Sequence, residues 1–160
     1  MQEKYASPSA EHEPKRKLWF DGPNYTADAV IIHRDSQQIL LIQRGDTKQW
    51  ALPGGFVDKG ETAHTAAQRE IAEETGANIT MNGILVYEGA VEDPRNTPSA
   101  WIETSAYLFP ADDTFAATGS DDAIDAQWLP LDALPPLYGS HRDIIKRALE
   151  HLNKNPHSGE

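Results

Sequence analysis

The sequence predicts an α/β (α+β) domain, with strands flanked by two helices. Three observations carry this: two apolar runs joined by a polar turn near the start, an alanine-rich helical stretch in the middle, and a second capped helical segment near the end. Thr26 to His33 reads as a strand, and Ala29-Val30-Ile31-Ile32 is continuous enough to be buried on both faces. Asp35-Ser36-Gln37-Gln38 turns the chain, and Ile39-Leu40-Leu41-Ile42 returns as a second strand, giving a hairpin. Trp50-Ala51-Leu52 is short and extended, and Pro53-Gly54-Gly55 breaks it.

From Thr62 to Thr75 the chain predicts a helix. Thr62 can cap its start, and Gly76 stands where a left-handed residue usually ends one. Ala63, Ala66, Ala67 and Ile71 form a small apolar face suited to close packing on a sheet. Ile84 to Tyr87, Ile102 to Phe109 and Ile124 to Leu129 read as further strands. Ser140 opens a last helix reaching about Leu152, with Asp143 placed for a capping-box-like contact.

One domain is expected over residues 18–153, between a polar N-terminal tail (1–17) and a C-terminal tail (154–160). Within the first tail, Lys15-Arg16-Lys17 reads as a solvated charge cluster. A length of 160 residues suffices for one core, and the absence of cysteine excludes disulfides, thiolate metal ligands and a cysteine nucleophile. The net charge of −11 argues against nucleic-acid or anionic-membrane partners, which need basic surface. It leaves open a phosphorylated small molecule, because bound divalent cations reverse the local sign of a site. None of the six histidines shows zinc spacing. With no apolar run of membrane length and no signal-peptide core, the expectation is a soluble cytoplasmic monomer.

The most informative stretch runs from Gly55 to Ala77. Glu70, Glu73 and Glu74 fall at i, i+3 and i+4, so their carboxylates project from one helix face. They repel one another and sit in the C-terminal half of the helix, where the backbone dipole already disfavours negative charge; the cost is about 1 kcal/mol or somewhat more. Arg69 and Glu61 can relieve part of it as an ion pair. Taken alone, three glutamates are an ordinary solvated face; converging, they offer what a hard divalent cation needs, magnesium above all.

The complete pattern, Gly55, Glu61, Arg69, Glu70, Ile71, Glu73, Glu74, Gly76 and Ala77, resembles the signature of the Nudix hydrolases, G-x5-E-x7-R-E-U-x-E-E-x-G-U with U aliphatic. Ala77 is small for the last position. Seven fixed residues match by chance in a chain of this length about once in several million trials. The resemblance implies the Nudix fold, a mixed β-sheet sandwiched between α-helices. It implies that Glu70, Glu73 and Glu74 bind Mg2+, with Mn2+ as a substitute, that the Gly55 carbonyl is a further ligand, and that Arg69 and Glu61 orient the cluster. The implied reaction is in-line attack of water on a pyrophosphate, with a carboxylate accepting the proton.

Segments outside this box resemble one group within the family, the mitochondrial-type ADP-ribose pyrophosphatases and the related domain of an ADP-ribose-gated cation channel. The matching residues are Trp19, Pro23-Asn24, Asp93-Pro94-Arg95-Asn96-Thr97, Ala100-Trp101-Ile102-Glu103-Thr104, Gly119-Ser120-Asp121-Asp122 and Leu137-Tyr138-Gly139-Ser140-His141. By that resemblance Asp93, Arg95, Tyr138 and His141 contact the terminal ribose or the phosphates. Arginine suits such a place because its planar fork grips phosphate oxygens or a hydroxyl. The structural alternatives are an Arg95–Asp93 ion pair, a packed Tyr138 and a surface His141. Asp121 completes a metal shell and Asp122 acts as base, unless the pair is an ordinary turn. Trp101 stacks on adenine or belongs to the core, and Glu103 alternates with it.

The implied function is Mg-dependent cleavage of ADP-ribose to AMP and ribose 5-phosphate. Two rivals stand beside it: a Nudix pyrophosphatase for another nucleotide (a sugar nucleotide, NADH or an oxidised nucleotide), and a non-hydrolysing ADP-ribose sensor. Long insertions after the helix in the animal proteins are absent here, and the intact box distinguishes this chain from the degraded boxes of the channel domains.

Overall fold

The computed structural model describes residues 18–154. Both tail assignments, including Lys15-Arg16-Lys17, therefore lie outside the described residues except at Lys154, which ends the last helix. Seven strands form one mixed sheet: β1 (Gly22–His33), β2 (Gln38–Arg44), β3 (Trp50–Ala51), β4 (Gly54–Phe56), β5 (Ile84–Ala90), β6 (Ala100–Ala111) and β7 (Ala123–Pro130). Helix α1 (Ala63–Thr75) follows β4, and α2 (His141–Lys154) ends the described chain.

The apolar run of β1 is fully enclosed, with Ala29, Val30, Ile31 and Ile32 all at 0% exposure. Alternation along the strand explains why. Ala27, Ala29 and Ile31 meet Ala66, Ala67 and Ile71 of α1, whereas Val30 and Ile32 meet Ile144, Ile145, Ala148 and Leu152 of α2. A sheet covered by helices on both faces needs apolar residues at every position of its central strand.

The strand order is β3-β2-β1-β6-β5, with β4 pairing β1 and β7 pairing β2. β1 runs parallel to β6 along its whole length, from Gly22↔Ala100 to His33↔Ala111. On its other edge β1 changes partner. Near its end it pairs β2 through Ile32↔Ile39 and His33↔Gln38, whereas nearer its start Thr26, Ala27 and Asp28 pair Phe56, Gly55 and Gly54 of β4. β2 meanwhile pairs β7 from Gln38↔Pro130 to Arg44↔Ala123. The sheet thus opens between β2 and β4, and the main cleft lies there.

Three local readings change. Pro53-Gly54-Gly55 does not simply interrupt the chain, because Gly54–Phe56 is itself a strand on β1. Strand pairing uses only backbone, so glycines can supply it where no side chain would fit. The last helix begins at His141, and the Ser140 hydroxyl does not make the expected capping contact with the Asp143 end. It accepts from the Glu92 N–H (2.9 Å) and donates to the Glu92 carbonyl (3.0 Å), tying the loop after β5 to the start of α2. β6 also begins at Ala100, two residues before the apolar run.

Candidate active site in the cleft between the strands

The caps of α1 match expectation. Thr62 Oγ1 accepts from the Thr65 N–H, and Gly76 adopts φ 78°, its N–H donating to the Ala72 carbonyl. The remaining carbonyls at that end recruit the acidic loop. Thr118 N donates to Thr75 O (3.1 Å), Ser120 N to Glu74 O (3.2 Å), and the Ser120 hydroxyl to Glu73 O. These bonds carry Asp121 to the acidic face of α1, where one carboxylate oxygen each from Glu70, Glu73 and Asp121 lies within 4.8 Å of the others.

Arg69 is the cation inside this cluster. Its Nε and Nη2 grip Glu61 at 2.8 and 3.0 Å, and its Nη1 reaches Glu70 (3.0 Å) and Glu73 (3.1 Å). Nη2 also donates to the Phe56 carbonyl at 3.0 Å. The hydrogen bonds with Arg69 hold the Glu61 carboxyl below its usual range. Burial has the opposite effect deeper in: it raises Glu70 to about 7 and Glu74 to about 8, with neighbouring carboxylates adding to the shift. Glu74 Oε1 accepts from the Gly54 N–H at 2.9 Å.

These residues fit a divalent cation. Hard oxygen donors converge from two elements, burial disfavours the charge of Glu70 and Glu74 when nothing neutralises it, and the backbone makes room for them. A Cβ on Gly55 would stand 2.2 Å from Glu70 Oε2, and one on Gly54 would stand 2.3 Å from Asp28 Oδ1. Both glycines are cradles for carboxylates.

The cleft has a volume of about 590 Å³ and continues from this acidic end to a polar floor. There Arg95 pairs with Asp93 through Nε–Oδ1 (2.8 Å) and Nη2–Oδ2 (2.9 Å), and the Tyr138 hydroxyl donates to Asp93 Oδ1 at 3.3 Å. Burial opposes ionisation of Asp93, yet the Arg95 bonds keep its carboxyl below the ordinary range. The ion pair read as an alternative for Arg95 is therefore present, and both partners still line the cleft. His141, the first residue of α2, also lines it; burial lowers its pKa, favouring the neutral ring.

Of the residues singled out in the sequence, Gly55, Arg69, Glu70, Glu74, Asp93, Arg95, Asp121, Asp122, Tyr138 and His141 line this one cleft. Glu73 stands beside it in the carboxylate cluster, and Glu61 acts through Arg69. Trp101 and Glu103 are not brought in: the indole N–H donates to Glu103 Oε2 (3.0 Å), and neither residue lines the cleft.

Sequence reasoning missed Asp28 and Arg44. Asp28 is 7% exposed on β1 and accepts from Thr104 Oγ1 at 2.7 Å. A lone acid directly before the apolar run Ala29-Val30-Ile31-Ile32 was the available signal. Arg44 ends β2, pairs with Asp46 (2.7 Å) and lies 4.0 Å over the Tyr138 ring; nothing in its local sequence marks it.

The model of the NUDIX domain matches residues 23–148. The chain belongs to the Nudix family. It is 31% identical over 168 residues to the mitochondrial ADP-ribose pyrophosphatase of Rattus norvegicus, covering 81% of this chain and 48% of the rat protein. It is 34% identical over 161 residues to a transient receptor potential cation channel subfamily M member-like 2 of Nematostella vectensis, covering 79% of this chain and 10% of the channel. The Nudix chain thus spans about half the length, or less, of these curated relatives. Among solved structures, the NUDIX domain of Shewanella oneidensis NrtR, complexed with ADP ribose, superposes with a TM-score of 0.71 at 25% identity, covering 91% of this chain and 99% of that one. Mixed sheet and flanking helices are accordingly the Nudix fold. Among the described residues no helix is long and apolar enough to cross a membrane.

Proposed function

We propose that the chain is a Mg-dependent ADP-ribose pyrophosphatase, cleaving ADP-ribose with water to AMP and ribose 5-phosphate. The observation that carries this reading is one cleft lined both by Glu70, Glu74 and Asp121, with Glu73 beside them, and by Asp93, Arg95, Tyr138 and His141. A pyrophosphate between two ribosyl groups needs this combination: a site for cations at the phosphates, and hydrogen-bonding groups for a sugar beyond them. The ADP-ribose relatives add support.

In this mechanism Glu70, Glu73, Glu74 and Asp121 hold Mg2+, with Mn2+ able to replace it, and the Gly55 carbonyl contributes from β4. When bound, the cation neutralises phosphate charge and makes water a better nucleophile. Arg69, fixed by Glu61, keeps Glu70 and Glu73 oriented. Arg95 keeps Nη1 for a phosphate oxygen while Asp93 fixes the rest of its guanidinium. Asp122, at the rim of the cleft, accepts the proton of the attacking water. The reading is of a cytoplasmic monomer acting on a small molecule.

The test is hydrolysis of ADP-ribose with magnesium by wild type and Glu74→Gln, beside sugar nucleotides, NADH and oxidised nucleotides. Preference for ADP-ribose, abolished in E74Q, is expected. Preference for another compound would replace the substrate, and tight binding of ADP-ribose without turnover would make the chain a sensor.

A further inference from the structure

A nucleotide brings a flat, uncharged base, and most apolar groups of the cleft are already engaged. Trp101 stands outside it, its indole N–H held by Glu103. The two aromatic rings that line it each carry a guanidinium: Arg44 Cζ lies 4.0 Å from the Tyr138 centroid, and Arg95 Cζ lies 5.4 Å from that of Phe56. Ile42, Leu52, Ile102 and Ile144 belong to the core and are buried, and Val91 packs against two core clusters. Ile124 on the cleft wall is different, with 54% of its surface exposed.

The start of β7 explains how it comes to be there. Along the β2–β7 ladder Arg44 pairs Ala123 and Gln43 pairs Asp125, so Ile124 has no partner opposite it and forms a bulge. Bulges gather beside active sites because the extra residue turns its side chain away from the alternation of the strand. Here Ala123 and Ala126 stay in the core and Ile124 is turned out. The turn after β2 backs it: the Gly45 N–H donates to the Asp122 carbonyl at 3.0 Å, and a Cβ on Gly45 would stand 3.4 Å from Ile124 Cγ2. A single isoleucine on an open surface is ordinary. One that a bulge lifts into a cleft, with Asp121 and Asp122 just before it and Arg44 across the ladder, exposes apolar surface among charges.

We propose that Ile124 is the platform on which the nucleobase of the substrate rests, and so a specificity-determining residue for the reaction. That the substrate is a nucleotide rests on the ADP-ribose reading. Asp121 belongs to the carboxylate cluster, and Ile124 follows it by three residues, at most about 10 Å along the chain. A base on Ile124 is therefore joined to phosphate at the cluster through one ribose. A flat ring without charge covers the isoleucine on one face, removes its apolar surface from water and leaves the neighbouring carboxylates free for cations. Contact with an aliphatic side chain follows the flatness of a ring and not the hydrogen-bonding pattern on its edge. Ile124 thus favours a base over none, without choosing one base over another.

The experiment follows binding of AMP and of ribose 5-phosphate by calorimetry with magnesium, on wild type, Ile124→Ala and Ile124→Leu. Half of the side chain faces water, so both variants are expected to fold, which thermal unfolding checks. Affinity for AMP should fall about fivefold or more in I124A and largely return in I124L, with ribose 5-phosphate unchanged in both. AMP binding that is absent in wild type, unchanged in I124A, or weakened together with that of ribose 5-phosphate overturns the proposal. Kinetics separate it from the reading beneath it. KM for ADP-ribose should rise in I124A by a similar factor with kcat nearly kept. Wild-type hydrolysis of ADP-ribose with KM unmoved in I124A would keep the hydrolase and discard the platform. AMP binding weakened in I124A, without turnover of ADP-ribose by wild type, would do the reverse.

Discussion

Gly55 and Glu70 meet so closely that a single methyl carbon on Gly55 would stand 2.2 Å from Glu70 Oε2. The absence of a side chain at Gly55 is thus a condition for the position of the Glu70 carboxylate.

Gly55→Ala should push Glu70 out of the cluster. The clash is with the far end of the flexible Glu70 side chain alone, so the carboxylate yields and the cost falls on the cluster more than on stability. Affinity for manganese, followed by calorimetry, is expected to fall about tenfold or more. Unchanged metal affinity would mean that Glu70 has another place from which to bind.

Arg69 balances Glu61, Glu70 and Glu73 together. Arg69→Ala leaves three neighbouring carboxylates without their cation, and a drop of about 10- to 100-fold in metal affinity is expected. Arg69→Lys should recover little, since an ammonium cannot grip Glu61 through two parallel bonds while reaching the other two. Full recovery in R69K would reduce the role of Arg69 to its charge.

The metal-free protein should become less stable as pH rises. Burial raises Glu70 to about 7 and Glu74 to about 8 from an ordinary 4.5, so the folded state binds protons that the unfolded chain has released. Their stabilising contribution is present below 4.5 and is lost as pH climbs through 7 and 8. His141, lowered by burial, acts in the opposite sense, its contribution being lost as pH falls below its ordinary 6.5. Between pH 6.5 and 8.5 the carboxyls therefore dominate. Differential scanning calorimetry in chelator should show Tm falling by several degrees across that window. Glu74→Gln should flatten the slope, and saturating magnesium should do so in wild type. A Tm that rises across the window would contradict the assignment.

Arg95→Ala is expected to raise KM for ADP-ribose about 10- to 100-fold, in line with loss of a charge-assisted bond to phosphate. Loss of the Arg95 side chain leaves Asp93 half-buried with the backbone N–H of residue 95 and the Tyr138 hydroxyl as its remaining partners, so the folded state is checked by its unfolding temperature. Steady-state kinetics on ADP-ribose beside NADH separate a group that reads this substrate from one that supports the cleft in general.

Much of the site was legible because it is local. Glu70, Glu73 and Glu74 share a face by helical periodicity alone, and Thr62 and Gly76 announce where that helix starts and stops. The apolar run at 29–32 foretold a central strand covered on both faces. Ser140 misled, because a capping residue is recognised by its type. Whether its hydroxyl serves its own helix or the Glu92 backbone depends on a loop 48 residues away.

By itself the sequence determined what repeats over a few residues: the strands other than β4, the two helices, the acidic face and its signature. The tertiary structure alone decided which of these groups share a space. It brought Asp121 to α1 by satisfying the carbonyls that a helix end leaves open, admitted Asp28 and Glu70 past two glycines, and set His141 opposite Asp28. Periodicity is a property of neighbouring residues, whereas a cleft is made where β1 exchanges β2 for β4, and that exchange is fixed by long-range pairing and packing.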